Sequence, residues 1–165
     1  MADQFHKPYL DSNVYIWTIV GPSDDPEHHG KHELSADLLG LAEKGNFQLY
    51  ASTFIEAEVV KAPGDPPLSA AQEATVSGFF ERNFFVWVEV DRLIAQKARQ
   101  LVRDHGWKPP DAIHVATALR AECDQFLTWD KKLRKEKDSY LVEGLEICVP
   151  HTAGWQTGFI PPAAL

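Results

Sequence analysis

Apolar residues along this chain fall into two alternating patterns, short unbroken runs and longer stretches with a helical repeat. Tyr9 and Leu10 end a short apolar segment at Asp11, and Val14, Ile16 and Trp17 then follow in a helix for which Ser12 or Asn13 supplies the N-cap. Residues 21–32 form a polar loop with two prolines and two glycines. Beyond it Leu34, Leu38, Leu41 and Ala42 recur at helical spacing until Gly45-Asn46 ends the element. Phe47 to Ala51 is a short strand, and Ser52 or Thr53 caps a helix through Phe54, Ile55, Glu58 and Val59. Proline and glycine mark 61–68 as a loop, and 70–80 reads as a helix despite Gly78.

The second half repeats the rhythm. Residues 84–90 are almost all aromatic or β-branched, which predicts a strand buried on both faces. Ile94, Ala98, Leu101 and Val102 line a helix that stops near Gly106. Pro109-Pro110 opens another, with Ile113, Ala116 and Leu119 inward. Phe126 to Trp129 and Leu145 to Val149 supply the fourth and fifth strands. Strands alternating with helices predict an α/β fold, a parallel sheet covered by helices on both faces. One domain spanning 1–165 is expected, with its core at about 8–150 and an irregular C-terminal extension over 151–165 anchored by Trp155 and Phe159.

Charge narrows the function. Lys and Arg number 16 against 24 Asp and Glu, so the net charge of −8 argues against a general polyanion binder. Five of those 16 cations fall in one run directly after Asp130: Lys131, Lys132, Arg134, Lys135 and Lys137. It reads as a solvated basic helix, or as a patch that steers phosphates towards neighbouring acids. Cys123 and Cys148 lack metal or redox spacing and read as small apolar residues. Met1 to Asp11 contains no secretory signal, and Val14 to Val20 is too short to span a bilayer, so a soluble, cytoplasmic protein with no membrane partner is expected.

Four acids remain to be explained: Asp11, Glu58, Asp111 and Asp130 each sit at the edge of an apolar segment. Asp11 ends the first strand and Asp130 follows the fourth, and the C-terminal ends of parallel strands are where ligand crevices form. Glu58 shares the helix face buried by Phe54 and Ile55, whereas Glu56 points roughly 160° away. Carboxylates gathered against a core raise one another's pKa values unless a cation offsets them, so a divalent metal site is the first hypothesis.

The segments that carry these acids are Tyr9-Leu10-Asp11-Ser12-Asn13-Val14, Ser52-Thr53-Phe54-Ile55-Glu56-Ala57-Glu58-Val59, Pro110-Asp111-Ala112-Ile113-His114-Val115-Ala116-Thr117-Ala118-Leu119 and Phe126-Leu127-Thr128-Trp129-Asp130. Together, in this order and spacing, they resemble the four motifs of the PIN-domain ribonucleases, most of all the virulence-associated protein C (VapC) toxins. The resemblance implies a three-layer α/β/α sandwich with a central five-stranded parallel sheet. It also implies a metal-dependent endoribonuclease that cleaves RNA with Mg2+ or Mn2+, the toxin of a type II toxin–antitoxin pair. By position, Asp11, Glu58, Asp111 and Asp130 would be the catalytic, metal-binding quartet, with Asn13 and Thr128 in support. A protein antitoxin, whose arginine pairs with the carboxylates, and a homodimer are the partners it implies.

Other readings stay open. The same scaffold could be a catalytically silent binding module for RNA or a protein, or a phosphohydrolase with Asp11 as nucleophile, although Asn13 stands where such an enzyme usually needs a second acid. His114 shares the helix side of Asp111 and reads as a satisfied interior histidine. His28, His29 and His32 read as a solvated loop, since neighbouring proline and glycine oppose the helix that zinc spacing would require.

Overall fold

The computed structural model describes residues 7–61 and 66–154. Trp155 and Phe159, the expected anchors of the extension, lie outside the described residues. The elements run β1 (Pro8–Leu10), α1 (Ser12–Val20), α2 (Lys31–Glu43), β2 (Leu49–Ser52), α3 (Ile55–Glu58), α4 (Ala70–Phe80), β3 (Phe85–Val88), α5 (Arg92–His105), α6 (Pro109–Arg120), β4 (Gln125–Leu127), β5 (Ser139–Val142) and β6 (Leu145–Cys148). This is the expected α/β sandwich.

The sheet has six strands rather than five, in the order β3-β2-β1-β4-β6-β5. Its first five positions are parallel, and β5 is added antiparallel to β6 at the edge. The extra strand comes from a hairpin. Glu143 and Gly144 both take positive φ, 50° and 91°, the backbone sign of a two-residue turn that matches strand twist. Ser139 to Val142 then pairs with Leu145 to Cys148, and outward-facing Leu141 stays exposed on the edge strand.

A second correction concerns the basic run, which is not a helix: residues 131–136 form successive turns, and Lys135 and Glu136 have φ of 54° and 58°. Its cations have separate tasks. Arg134 is buried and its guanidinium donates to the Lys137 carbonyl, so it holds the turn, while Lys131, Lys132, Lys135 and Lys137 remain exposed.

Burial explains the strand positions. All three residues of β1 are buried, because this strand lies between β2 and β4 with helices covering both faces. Tyr9, Leu10, Phe126, Leu127 and Ile147 are fully buried in the sheet, and Leu38, Ala42, Leu101, Val115 and Ala118 cover it from the helices. Helix α6 is enclosed more fully than a one-faced pattern predicts: Ala112, His114, Val115, Ala116, Thr117 and Ala118 are all buried, while Ile113 and Leu119 are only partly so. Among the described residues no helix is long and apolar enough to cross a membrane.

The connections matter for function. From β1 the chain builds outward to β2 and β3, then crosses back through α5 and α6 to lay β4 on the other side of β1. Between β1 and β4 the winding reverses, and such a switch point leaves a crevice at the strands' C-terminal ends.

Candidate active site at the sheet switch point

Asp11 leaves β1 at that crevice and is 4% exposed. Its own carboxylate, not Ser12 or Asn13, caps α1: Oδ1 accepts from the Ser12 amide at 2.8 Å, and the helix begins at Ser12. Oδ2 accepts from the Thr128 hydroxyl at 2.6 Å and from the Asn13 amide at 2.7 Å. Thr128 in turn accepts from Asn13 Nδ2 at 3.0 Å and from the Asp130 amide at 3.0 Å, and Asn13 Oδ1 accepts from the Trp129 amide at 3.2 Å. Asn13 and Thr128 therefore sew the exits of β1 and β4 together around one carboxylate. Burial raises the Asp11 pKa, as does the charge of Glu58, while the electrostatic influence of His114 and the Thr128 and Ser12 hydrogen bonds oppose the rise.

Glu58 arrives from the other side. Helix α3 is a single turn, shorter than the sequence suggests, and Glu58 is its last residue. It is half-buried against His114 of α6, whose Nε2 lies 2.5 Å from Oε2, and Glu56 is exposed. Burial acts to raise the Glu58 carboxyl, but the His114 imidazole beside it, through its hydrogen bond and its electrostatic influence, outweighs burial and holds the pKa low. Ser12 is thus bonded to Asp11 through its amide and acts on Glu58 only weakly.

Asp111 sits in the first turn of α6, where Pro109 and Pro110 set the start. Its pKa is pushed up to about 6, first by burial and then by the charges of Asp11, Asp130 and Glu58, with Lys108 acting against them. Asp11, Asp130 and Glu58 therefore all lie within electrostatic reach of Asp111. Asp130 opens the turns after β4, its Oδ1 accepting from the Lys132 amide at 2.7 Å and the Leu133 amide at 3.3 Å.

The donor set suits a hard divalent cation, being oxygen-rich, negatively charged and partly solvent-facing. Asp11 Oδ1 has one donor and so keeps a lone pair, and Asp111 has no hydrogen-bond donor among the described residues. The acids are spread widely, however: among the described residues no three carboxylate, imidazole or thiolate groups stand close enough to enclose an ion by themselves. Such a site fits Mg2+, which keeps several waters and needs only one or two direct carboxylates.

Several participating residues carry no legible signal in the sequence. Tyr9 reads there as a strand residue and Ser52 as a cap, yet Tyr9 reaches His114 and Ser52 reaches Tyr9: Tyr9 Oη lies 2.7 Å from Nδ1 and accepts from the Ser52 amide at 3.1 Å. His114, expected to be interior, is 1% exposed and also contacts the acid site. His28 and His32 are engaged with the protein: His28 stacks on Trp17 and bonds Lys31 at 2.8 Å, and His32 Nδ1 lies 3.1 Å from the Trp17 carbonyl. An apolar cavity of about 420 Å³ between α1, α2 and α4 contains none of the four acids.

Comparison with known proteins bears on the fold and the family. No curated protein matches the chain's sequence significantly. Solved structures similar in fold include a toxin–antitoxin complex from Klebsiella pneumoniae, with a TM-score of 0.61 at 20% identity, covering 88% of this chain and 98% of that one. A sarcin–ricin-loop-cleaving VapC toxin from Mycobacterium tuberculosis gives 0.58 at 10% identity, covering 79% and 95%. A VapBC complex from Rickettsia felis, bound to DNA from its promoter, gives 0.56 at 14% identity, covering 85% and 96%. The PIN domain matches residues 9–137, a span that includes all four acids and most of the chain, and the protein therefore belongs to the PIN domain family.

Proposed function

We propose that this PIN-domain protein is a metal-dependent endoribonuclease that hydrolyses RNA phosphodiester bonds, and that it is the toxin of a type II toxin–antitoxin pair. The observation that carries the reading is Asp111, whose carboxyl is pushed up to about 6 by burial and by Asp11, Asp130 and Glu58. An acid at a sheet switch point that is repelled by three others is unfavourable on its own, and a bound dication would offset that repulsion.

Asp11 and Asp111 are the proposed principal ligands for Mg2+ or Mn2+, completed by Glu58 and Asp130 directly or through water. A bound metal supplies charge neutralisation at the phosphate and lowers the pKa of a water. Asn13 and Thr128 keep Asp11 from rotating, and His114 holds one oxygen of Glu58. Exposed Lys108, Lys131, Lys132 and Lys135 on the adjoining segments attract RNA phosphates in spite of the negative net charge. Partners in this reading are an antitoxin, for which the similar toxin–antitoxin complexes give support, and a second copy of the chain; an antitoxin arginine would occupy the carboxylates.

The wide spacing of the acids favours one other reading, a PIN scaffold that binds RNA or protein without cutting it. A single assay separates the two. Purified protein should cleave RNA in Mg2+ or Mn2+, stop in excess chelator, and lose activity in Asp11→Asn and Asp111→Asn. Full cleavage by either variant, or with chelator, would overturn the nuclease assignment, while tight RNA binding with no cleavage in any metal would establish the silent scaffold.

A further inference from the structure

We propose that His114 is a positioning residue for Glu58, and that Tyr9 fixes the histidine in the tautomer that does so. The proposal rests on the reading above that Glu58 belongs to the metal site.

The hydrogen positions follow from the order of donors. The Ser52 amide can only donate, and it points at Tyr9 Oη from 3.1 Å. The phenol's own hydrogen then has one acceptor within reach among the described residues, His114 Nδ1 at 2.7 Å. Nδ1 accepting leaves the ring proton on Nε2, 2.5 Å from Glu58 Oε2. The reverse tautomer would set two acceptors against each other at Glu58 and leave the phenol hydrogen unpartnered in a fully buried place. Tyr9 is 0% exposed and His114 1%, so water cannot repair such a mismatch.

Position explains why the chain is needed. Glu58 ends a helix of one turn, too short to hold its side chain by helical packing alone. The His114 ring is confined by Tyr9 and Phe54, with ring centroids 5.9 and 5.7 Å away, and Tyr9 is stacked on Phe126 at 5.2 Å. The line Ser52–Tyr9–His114–Glu58 thus ties the carboxylate to the central strands β1 and β2 through α6. With Oε2 bound by the imidazole, Oε1 is the oxygen left to meet a metal or its water.

Manganese titration calorimetry on single and double variants tests this, with RNA cleavage measured in parallel. His114→Asn shortens the side chain away from Glu58 and should weaken Mn2+ binding by about 10- to 100-fold, the usual cost of removing an outer partner of a metal ligand. His114→Gln carries an amide donor near the Nε2 position and should recover most of that loss. Tyr9→Phe removes one oxygen from a ring that otherwise stays packed, and its smaller loss provides a check if His114→Asn folds poorly. Each loss should shrink to under about twofold in a Glu58→Gln background, because the histidine then has no carboxylate to position. Equal losses in both backgrounds, or no recovery with His114→Gln, would overturn the positioning role. Should Glu58→Gln alone leave Mn2+ affinity unchanged, the metal-site assignment of Glu58 fails, and the positioning role fails with it.

Discussion

Asp11 and Asp111 share one electrostatic neighbourhood but are held in opposite ways. Asp11 leaves a central strand, caps α1 and accepts three hydrogen bonds, from Ser12, Asn13 and Thr128. Asp111 lies on the first turn of α6 with no donor among the described residues and a carboxyl pushed up to about 6. The first carboxylate is part of the architecture, whereas the second is a charge the architecture tolerates. The difference teaches that a cluster of acids can combine a structural anchor with a strained member whose ionisation favours a cation.

The comparison breaks first on activity. Asp111→Asn should reduce RNA cleavage by at least about 100-fold, since even outer partners of metal ligands commonly cost 10–100-fold. Near-normal turnover would mean that the strained acid has no role in the reaction. On stability the two should part in sign. Asp11→Ala removes a helix cap and leaves the Thr128 hydroxyl and Asn13 amide without their acceptor, which should cost about 2–4 kcal/mol in chelator. Urea unfolding of that variant measures it.

Metal affinity should reveal the strained acid next. A folded pKa of about 6 means that Asp111 must lose its proton to meet a cation, so Mn2+ affinity should fall about tenfold per unit as pH drops below about 6. Calorimetry from pH 5 to 7.5 tests this, and a flat profile would show that Asp111 is not a ligand.

Without metal, the raised pKa implies that folding binds a proton between the ordinary value of 3.8 and about 6, so stability contributed by the protonated form is lost as pH rises through that window. Asp111→Asn should therefore stabilise the metal-free protein at pH 7.5, by about 1 kcal/mol once solvent screening of this half-buried group is allowed for, and give no gain near pH 4. The smallest effect belongs to the rim. Lys131→Ala breaks only an exposed pair with Glu27 at 3.2 Å and should change stability by less than about 0.5 kcal/mol.

The legibility of these features follows from their range. Helices such as α4 and α5 are readable because apolar period, caps and proline act within a few residues. Phe85–Val88 is legible as a strand, although it lies at the sheet edge with only Phe85 buried instead of buried on both faces, because strand order is set by tertiary pairing. β5 was missed because its edge position leaves Ser139 and Leu141 exposed, so no buried run announces it, and the Glu143-Gly144 turn is a weaker signal than Asn-Gly. The basic run misled because Lys and Arg favour helices, while the buried Arg134 guanidinium closes a turn that no propensity encodes. Glu58 is preferred over Glu56 by the resemblance's motif, an acid after alanine and before aliphatic residues, with which helical geometry agrees, and the structure leaves Glu56 exposed and sets Glu58 beside His114.

The sequence by itself determined the alternation of elements, the parallel α/β class, the PIN resemblance and which four acids stand at element edges, because each depends on local pattern or on spacing along the chain. Tertiary structure alone decided how those acids differ. Whether a carboxylate is anchored like Asp11, held by a histidine like Glu58, or left strained like Asp111 depends on partners far apart in sequence: Thr128 lies 117 residues from Asp11, His114 56 from Glu58, and Tyr9 105 from the histidine it meets. Such contacts exist only after β1 and β4 pair and α6 packs against the sheet. Hydrogen bonds and burial then act over a few ångströms of space, whatever the length of chain between.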